Sequence, residues 1–426
     1  MAKQLGLFDA ERMNMRDAIN LSLESLREYV PRHKHLVVMF SGGKDSTAML
    51  TFVLWAIFSA KVPAPESITV VMADTRLELP PLMLSALRLL DEARERGEEH
   101  GVEVITRVVT APMDDRILVY MLGKGPPPAT NMTMRWCTRL AKGKPAEAVM
   151  RGLHETLGDM LVLTGMRVGE SAVRDRRINT VCSSKGGECG AGLYQLTAEK
   201  RNEAVLAPLL HWRACHIWEW NFRWAPEEEY GGWSTRLVAE VYGVDDPGQK
   251  HDLEAIDAKA RTGCMTCFCV EDDLATKRVV KRPEWAHLAP VLELKERWRR
   301  LRRHDVRLRQ PKGETTGKGA LAAKQHRVGP VIMAARLEAL DHVLDVQRRV
   351  NEAAARLGRP GLDILNATEE ARIRFLIAAD TWPRGWTGRE PLATDPFEEG
   401  GQLNMIVDDE ADEEPDALVQ IGVRHA

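Results

Sequence analysis

The sequence has no apolar run approaching the roughly 20 residues that cross a bilayer as a helix. Residues 1–9 also lack the basic-then-apolar order of a secretory signal. Cysteine is sparse. Seven in 426 residues are too few for a disulfide scaffold, and their uneven spacing points to metal or redox use in a reducing compartment. A cytoplasmic protein is the expectation. An excess of charge of one sign is missing too: a formal net charge of −3 excludes a general attraction to nucleic acid. No internal repeat is present.

What is there is ordinary globular material, 44% hydrophobic and 28% charged, in a chain long enough for two or three domains. Helical periodicity over 13–30 leads into a short buried strand at 35–40, then a glycine loop and an apolar helix at 47–60. A strand at 68–72, a helix at 80–97 and strands at 102–109 and 160–164 follow. Strands alternating with helices predict an α/β fold with a doubly wound parallel sheet. The pattern changes near residue 242. The expected division is a nucleotide-binding domain over 1–240, a cysteine-bearing segment over 241–290 and a basic helical part over 291–380. Helices at 329–357 and 367–380 belong to that last part, and a polar acidic tail over 381–426 is expected to be disordered.

Ser41-Gly42-Gly43-Lys44-Asp45-Ser46 joins the first strand to the next helix. Gly42 and Gly43 let the backbone approach a phosphate closely. Successive N–H groups and the helix N-terminus then make an anion site, to which Lys44 adds a point charge. Asp45 suits the placing of a magnesium ion or the start of the helix. A glycine turn that merely caps the helix is the bland alternative. The Gly-x4-Gly-Lys spacing of a Walker A loop is missing. The loop instead resembles the PP-loop of ATP pyrophosphatases. That resemblance implies ATP with Mg2+, attack at the α-phosphorus, release of pyrophosphate and an adenylated substrate. Sulfonucleotide reductases use the same loop for an adenylyl sulfate.

Four further blocks narrow the resemblance. Ala73-Asp74-Thr75-Arg76-Leu77-Glu78-Leu79-Pro80 is similar to the Asp-Thr-Gly-x-Glu-hydrophobic-Pro block of the phosphoadenylyl-sulfate (PAPS) reductase superfamily, with Arg76 in place of the usual glycine. Trp136-Cys137 with Lys142 and Pro145, Gly165-Met-Arg167-Val-Gly-Glu170-Ser171 with Arg174, and Pro208 with Trp212 and Trp218 resemble three more of its blocks. Asp74, at the end of a strand, faces the ligand crevice in this reading, and Arg167 with Arg174 forms a bidentate clamp on phosphate or sulfate. Lys44, Asp45, Arg167 and Arg174 are the expected catalytic residues. Ser41, Gly42, Gly43, Lys44, Asp45, Ser46, Asp74, Gly165 and Glu170 are expected to bind the nucleotide. The two tryptophans are expected in the core.

Gly263-Cys264-Met-Thr-Cys267-Phe-Cys269-Val270 carries two thiols at the Cys-x2-Cys spacing of a metal site. Beside the nucleotide motifs it resembles DndC-type proteins of bacterial DNA phosphorothioation, in which sulfur replaces a non-bridging phosphate oxygen of DNA. With Cys137 in the block where cluster-binding relatives carry a ligand, this implies a [4Fe–4S] cluster on Cys137, Cys264 and Cys267. The fourth position is open to Cys269, Cys215 or a non-protein ligand, and structural zinc is the rival metal. A sulfur-donor protein, a cysteine desulfurase, is the implied partner. Cys182 and Cys189 lie in a glycine-rich stretch that suits either a sulfur-carrying pair or a plain loop.

Residues 295–312 contain Lys295, Arg297, Arg299, Arg300, Arg302, Arg303, Arg307, Arg309 and Lys312, against Glu296 and Asp305. Such a stripe can neutralise phosphates of DNA without reading sequence, with Trp298 available for stacking. A solvated helix paired with the acidic tail is the alternative.

Overall fold

The two central strands first met in the sequence are apolar on both faces, which requires cover on both sides. In β1 (His35–Phe40) and β2 (Ser67–Asp74) only the ends and Met39 reach solvent. The computed structural model describes residues 13–130, 135–169, 193–196, 204–242, 264–309 and 328–393. With β3 (Val104–Thr110), β4 (Met160–Leu163), β5 (Leu193–Leu196) and β6 (Ala204–Ala207), these strands form one sheet in the order β3-β2-β1-β4-β6-β5. All neighbouring pairs are parallel except β5 with β6. The sheet is α/β and doubly wound, as the alternation predicted. The four strands read from the sequence are present. β5 and β6 are additional, each only four residues long.

Chain order runs outward from β1 through β2 to β3, then returns to β4 on the other side. The crevice where the direction reverses, at the C-terminal ends of β1 and β4, is where ligands bind in such sheets. The helix α2 (Lys44–Phe58) follows β1 there and starts three residues earlier than periodicity suggested, because Gly43 rather than a polar side chain stands at its N-cap. The helix α3 (Pro80–Glu99) opens with two prolines, whose fixed φ suits the first turn.

One core cluster joins α1 (Met15–Tyr29), α2 and the sheet to Trp212, Trp220 and Trp233. A second joins Leu77, Leu79, Trp218 and Tyr242 to Met265, Phe268, Trp298 and the inward face of helix Met333–Arg356. Trp212 and Trp218 are fully buried, as expected. The second cluster packs the cysteine loop and the C-terminal helices against the turn that ends β2. Among the described residues no helix is long and apolar enough to cross a membrane.

Candidate functional site

The glycine loop is closed by its own serines. Ser46 Oγ donates to the Gly43 carbonyl at 3.0 Å and lies 2.9 Å from Ser41 Oγ. Gly42 has φ +70°, and a Cβ there would stand 3.0 Å from that of Ala86. Conformation and space therefore both favour glycine. Gly165, just past β4, approaches so closely that a Cβ would lie 3.1 Å from the Asp45 carbonyl and from Ser46. The loop and the block after β4 thus meet in the crevice.

Three charges are buried at the start of α2. Lys44 Nζ donates to Asp45, and Arg167 Nε donates to the other carboxylate oxygen at 2.6 Å. Side-chain exposures of 7%, 17% and 3% for Lys44, Asp45 and Arg167 mean that water screens little of this. Burial raises the Asp45 pKa, but Lys44 and Arg167 outweigh it and leave it below the usual carboxylate value. In this structure Asp45 is therefore the counter-ion of Lys44 and Arg167, while Gly43 stands at the helix N-cap. The Lys44 carbonyl accepts from Asn221 Nδ2 at 3.0 Å, and its ammonium sits 5.7 Å from the Tyr242 ring centroid. Asn221 belongs to a π-helical segment, Trp220–Trp224, a widened turn frequent at functional sites. It was not singled out from sequence. A lone amide among tryptophans was the available signal.

Asp74 ends β2 at the mouth of the crevice, where its Oδ1 accepts the Arg76 N–H at 2.7 Å. Burial raises its pKa. Arg76 has φ +67°, so the turn keeps the conformation a glycine would adopt, with an arginine in it. The guanidinium is held by Asp363 at 2.7 Å and by buried Glu369 at 3.5 Å, both from the C-terminal helical part. Arg116 adds a second bond to Glu369 at 2.9 Å.

The cysteine loop docks on the same turn. Met265 N donates to the Leu77 carbonyl at 2.6 Å, and Glu78 pairs with Cys264 in an antiparallel bridge. Thr75 Oγ1 lies 3.3 Å from Cys264 Sγ and 2.9 Å from Glu78 Oε1, and Lys142 Nζ lies 3.2 Å from Glu78. Attraction to Glu78 raises the Lys142 pKa. Cys137 is brought from far off in sequence to the same core cluster as Cys264 and Cys269, close enough for Cys269 to influence both Cys137 and Cys267. Cys269 draws the Cys137 thiol below its ordinary value. Burial, with Glu78 adding, pushes Cys264 up to about 12. Cys267 is raised first by Cys269 and then by burial. The four expected metal ligands therefore share one electrostatic neighbourhood. Cys215 instead lies on helix Ala214–Glu219, whose Ile217 belongs to the other core cluster. Among the described residues no three His, Cys, Asp or Glu side chains are set out around a single metal ion.

The basic run departs from expectation. Its helix, Glu293–Arg300, covers only part of it and gives way to a short turn at His304–Val306. Trp298 is 2% exposed and donates to Thr266 Oγ1 at 3.0 Å, so it is not free to stack on a base. Arg297 pairs with Glu338, Arg299 with Glu296, and Arg300 and Arg303 with Asp305. Arg307 donates to the carbonyls of Val328 and Gly329. Lys295 and Arg302 turn inward to the cysteine loop. Glu170, Arg174, Cys182, Cys189 and Lys312 lie outside the described residues, as does the acidic tail. A cavity of about 600 Å³ lined by Phe58, Lys61 and His100 opens at the opposite, N-terminal end of the strands and shares no residue with these motifs.

Residues 35–225 match the family model of the phosphoadenosine phosphosulfate reductase domain. That match spans the glycine loop, the Asp74 turn, Cys137 and Arg167. No curated protein matches the chain. Solved structures resemble it, among them the following two. FMN adenylyltransferase of Candida glabrata, in complex with FMN and the ATP analogue AMPCPP, is 16% identical, with 49% of this chain and 59% of that one covered and a TM-score of 0.26. The U34-tRNA thiolase NcsA from Methanococcus maripaludis, with its [4Fe–4S] cluster, is 14% identical, with 66% and 80% covered and a TM-score of 0.30. At those scores neither likeness bears on the chemistry of this site. The chain spans 59% of the adenylyltransferase it matches.

Proposed function

We propose that the chain is an ATP pyrophosphatase that adenylates an acceptor and directs sulfur to it, with nucleic acid as the acceptor and DNA phosphorothioation as the pathway. The observation that carries the sulfur part is the docking of Cys264 on Glu78, which sets a thiol group beside the strand end that faces the nucleotide crevice. The choice of DNA rests on the resemblance of the cysteine motif alone.

ATP with Mg2+ occupies the loop of Ser41, Gly42, Gly43, Lys44, Asp45 and Ser46, with Gly165, Glu170 and Asp74 bordering it. An acceptor oxygen attacks the α-phosphorus. The bond to the β-phosphate oxygen breaks, and pyrophosphate leaves with the electron pair. Lys44, Arg167 and Arg174 stabilise charge that grows on the phosphates as this happens. Asp45 keeps Lys44 and Arg167 aimed, and the attacking atom, an ionised non-bridging phosphate oxygen of the acceptor, carries no proton to be removed. The thiols of Cys137, Cys264, Cys267 and Cys269 suit a soft metal centre, since four thiolates match an iron–sulfur cluster or zinc. A [4Fe–4S] cluster held there would supply a soft site for sulfur delivered by a cysteine desulfurase.

The reductase reading, in which Cys189 attacks an adenylyl sulfate, is tested by giving the protein thioredoxin with adenylyl sulfate or its 3′-phosphorylated form. We expect no sulfite and, with ATP and acceptor, acceptor-dependent pyrophosphate. Catalytic sulfite release that disappears in Cys189→Ser would make the chain a reductase instead.

A further inference from the structure

Lys295 and Arg302 look from the sequence like part of a phosphate-binding stripe, but neither points at solvent. Lys295 Nζ donates to the Cys267 carbonyl at 2.5 Å and also to that of Val270. Arg302 Nη2 donates to the Phe268 carbonyl at 2.7 Å and also to that of Ala129. Together they tie down the carbonyls of Cys267, Phe268 and Val270 in the loop that carries Cys267 and Cys269. Arg302 also ties that loop to the segment before Thr130, whose carbonyl accepts from Cys269 Sγ at 3.7 Å. The Arg302 Nε–H is buried and finds no acceptor among the described residues. A buried donor without an acceptor is destabilising. A guanidinium kept in that state beside thiols is set to face an anion.

We propose that Lys295 and Arg302 are positioning residues for the cysteine centre. They hold the 264–270 loop against the segment at Ala129 and Thr130, and they place two positive charges against the negative charge a thiolate-bound metal would bring. This rests on the metal reading of the four cysteines for its second half only. The backbone clamp stands on the hydrogen bonds themselves. A tetrathiolate centre carries net negative charge whichever metal it holds, and groups that orient metal ligands from behind change metal affinity about 10–100-fold when removed.

The experiment uses the full chain with Lys295→Met, Arg302→Gln and the charge-keeping Arg302→Lys. Hydrogen exchange is read on metal-free protein. Zn2+ affinity and the reduction potential of the anaerobically reconstituted protein are read separately. We expect faster exchange at residues 264–270 in Lys295→Met and Arg302→Gln, with exchange in β1 and α2 unchanged. We also expect Zn2+ affinity about 10–100-fold weaker, and a lower reduction potential that Arg302→Lys partly restores. A general loss of stability would instead speed exchange everywhere, and that outcome overturns the inference. So does exchange at 264–270 that matches the wild type. A wild-type chain that takes up neither iron nor zinc would overturn the metal reading of the site, and the exchange result alone would then decide the clamp.

Discussion

Replacing Asp45 with asparagine removes the one carboxylate that Lys44 and Arg167 share. The Arg167 bond is 2.6 Å long, and all three side chains are at least four-fifths buried. Each charge-assisted hydrogen bond contributes about 1.5–3 kcal/mol, and breaking a buried pair by removing one partner costs about 3–5 kcal/mol because the remaining charge is stranded. Asp45→Asn is therefore expected to lose about 3–5 kcal/mol at pH 7, read as a lower urea midpoint with unchanged slope. The sign with pH follows from the depressed folded-state pKa. Wild-type Asp45 contributes its full stability above the unfolded value of 3.8 and loses it as pH falls through the lower folded value. The gap between wild type and variant should then close in acid. Equal midpoints at pH 7, or a gap that stays constant below pH 3.8, would refute the counter-ion role.

Gly165→Ala places a methyl 3.1 Å from the Asp45 carbonyl and Ser46, and overpacking of this kind costs about 1–3 kcal/mol. ATP affinity measured by calorimetry should weaken, whereas Gly152→Ala, where nothing lies within 4 Å, should leave it unchanged. At Arg76 the left-handed backbone predicts that Arg76→Ala is less stable than Arg76→Gly by about 1–2 kcal/mol, although both lose the pairs with Asp363 and Glu369. Equal thermal midpoints would contradict this. A stripe lying on phosphates would lose about 2.7 in salt slope on replacing Arg299, Arg300 and Arg303 with glutamine. Because acids already pair with them, we expect a change below about 1 in filter binding to duplex DNA.

The parts of the fold that sequence disclosed are those where local pattern and tertiary demand agree. β1 and β2 are apolar runs because both faces are covered, and α3 begins where two prolines permit it. β6 was not visible as a strand, since Ala204–Ala207 is too short to show a period and is defined by its pairing with β4. The glycine loop, the Asp74 turn and the cysteine loop could be picked out as motifs because each has particular side chains at particular spacings, and the structure packs Cys264 against the turn after Asp74. The fate of the basic residues was not. Lys295 and Arg302 bond to carbonyls 25 to 173 positions away, and a run of like charges reads the same whether its members face solvent or a neighbouring loop. Arg76 lies between these cases. Its place in the motif was plain, but the acids that hold it come from more than 280 residues downstream.

The central claim is cleavage of ATP between its α- and β-phosphates at the Ser41–Ser46 loop, beside a thiolate centre. Product analysis with α-labelled ATP, using anaerobically purified protein, tests it most directly. The label should appear in AMP or an adenylated acceptor, with pyrophosphate released, and both should fall sharply in folded Lys44→Ala. Label found in ADP with free phosphate, or pyrophosphate release untouched by Lys44→Ala, would contradict it.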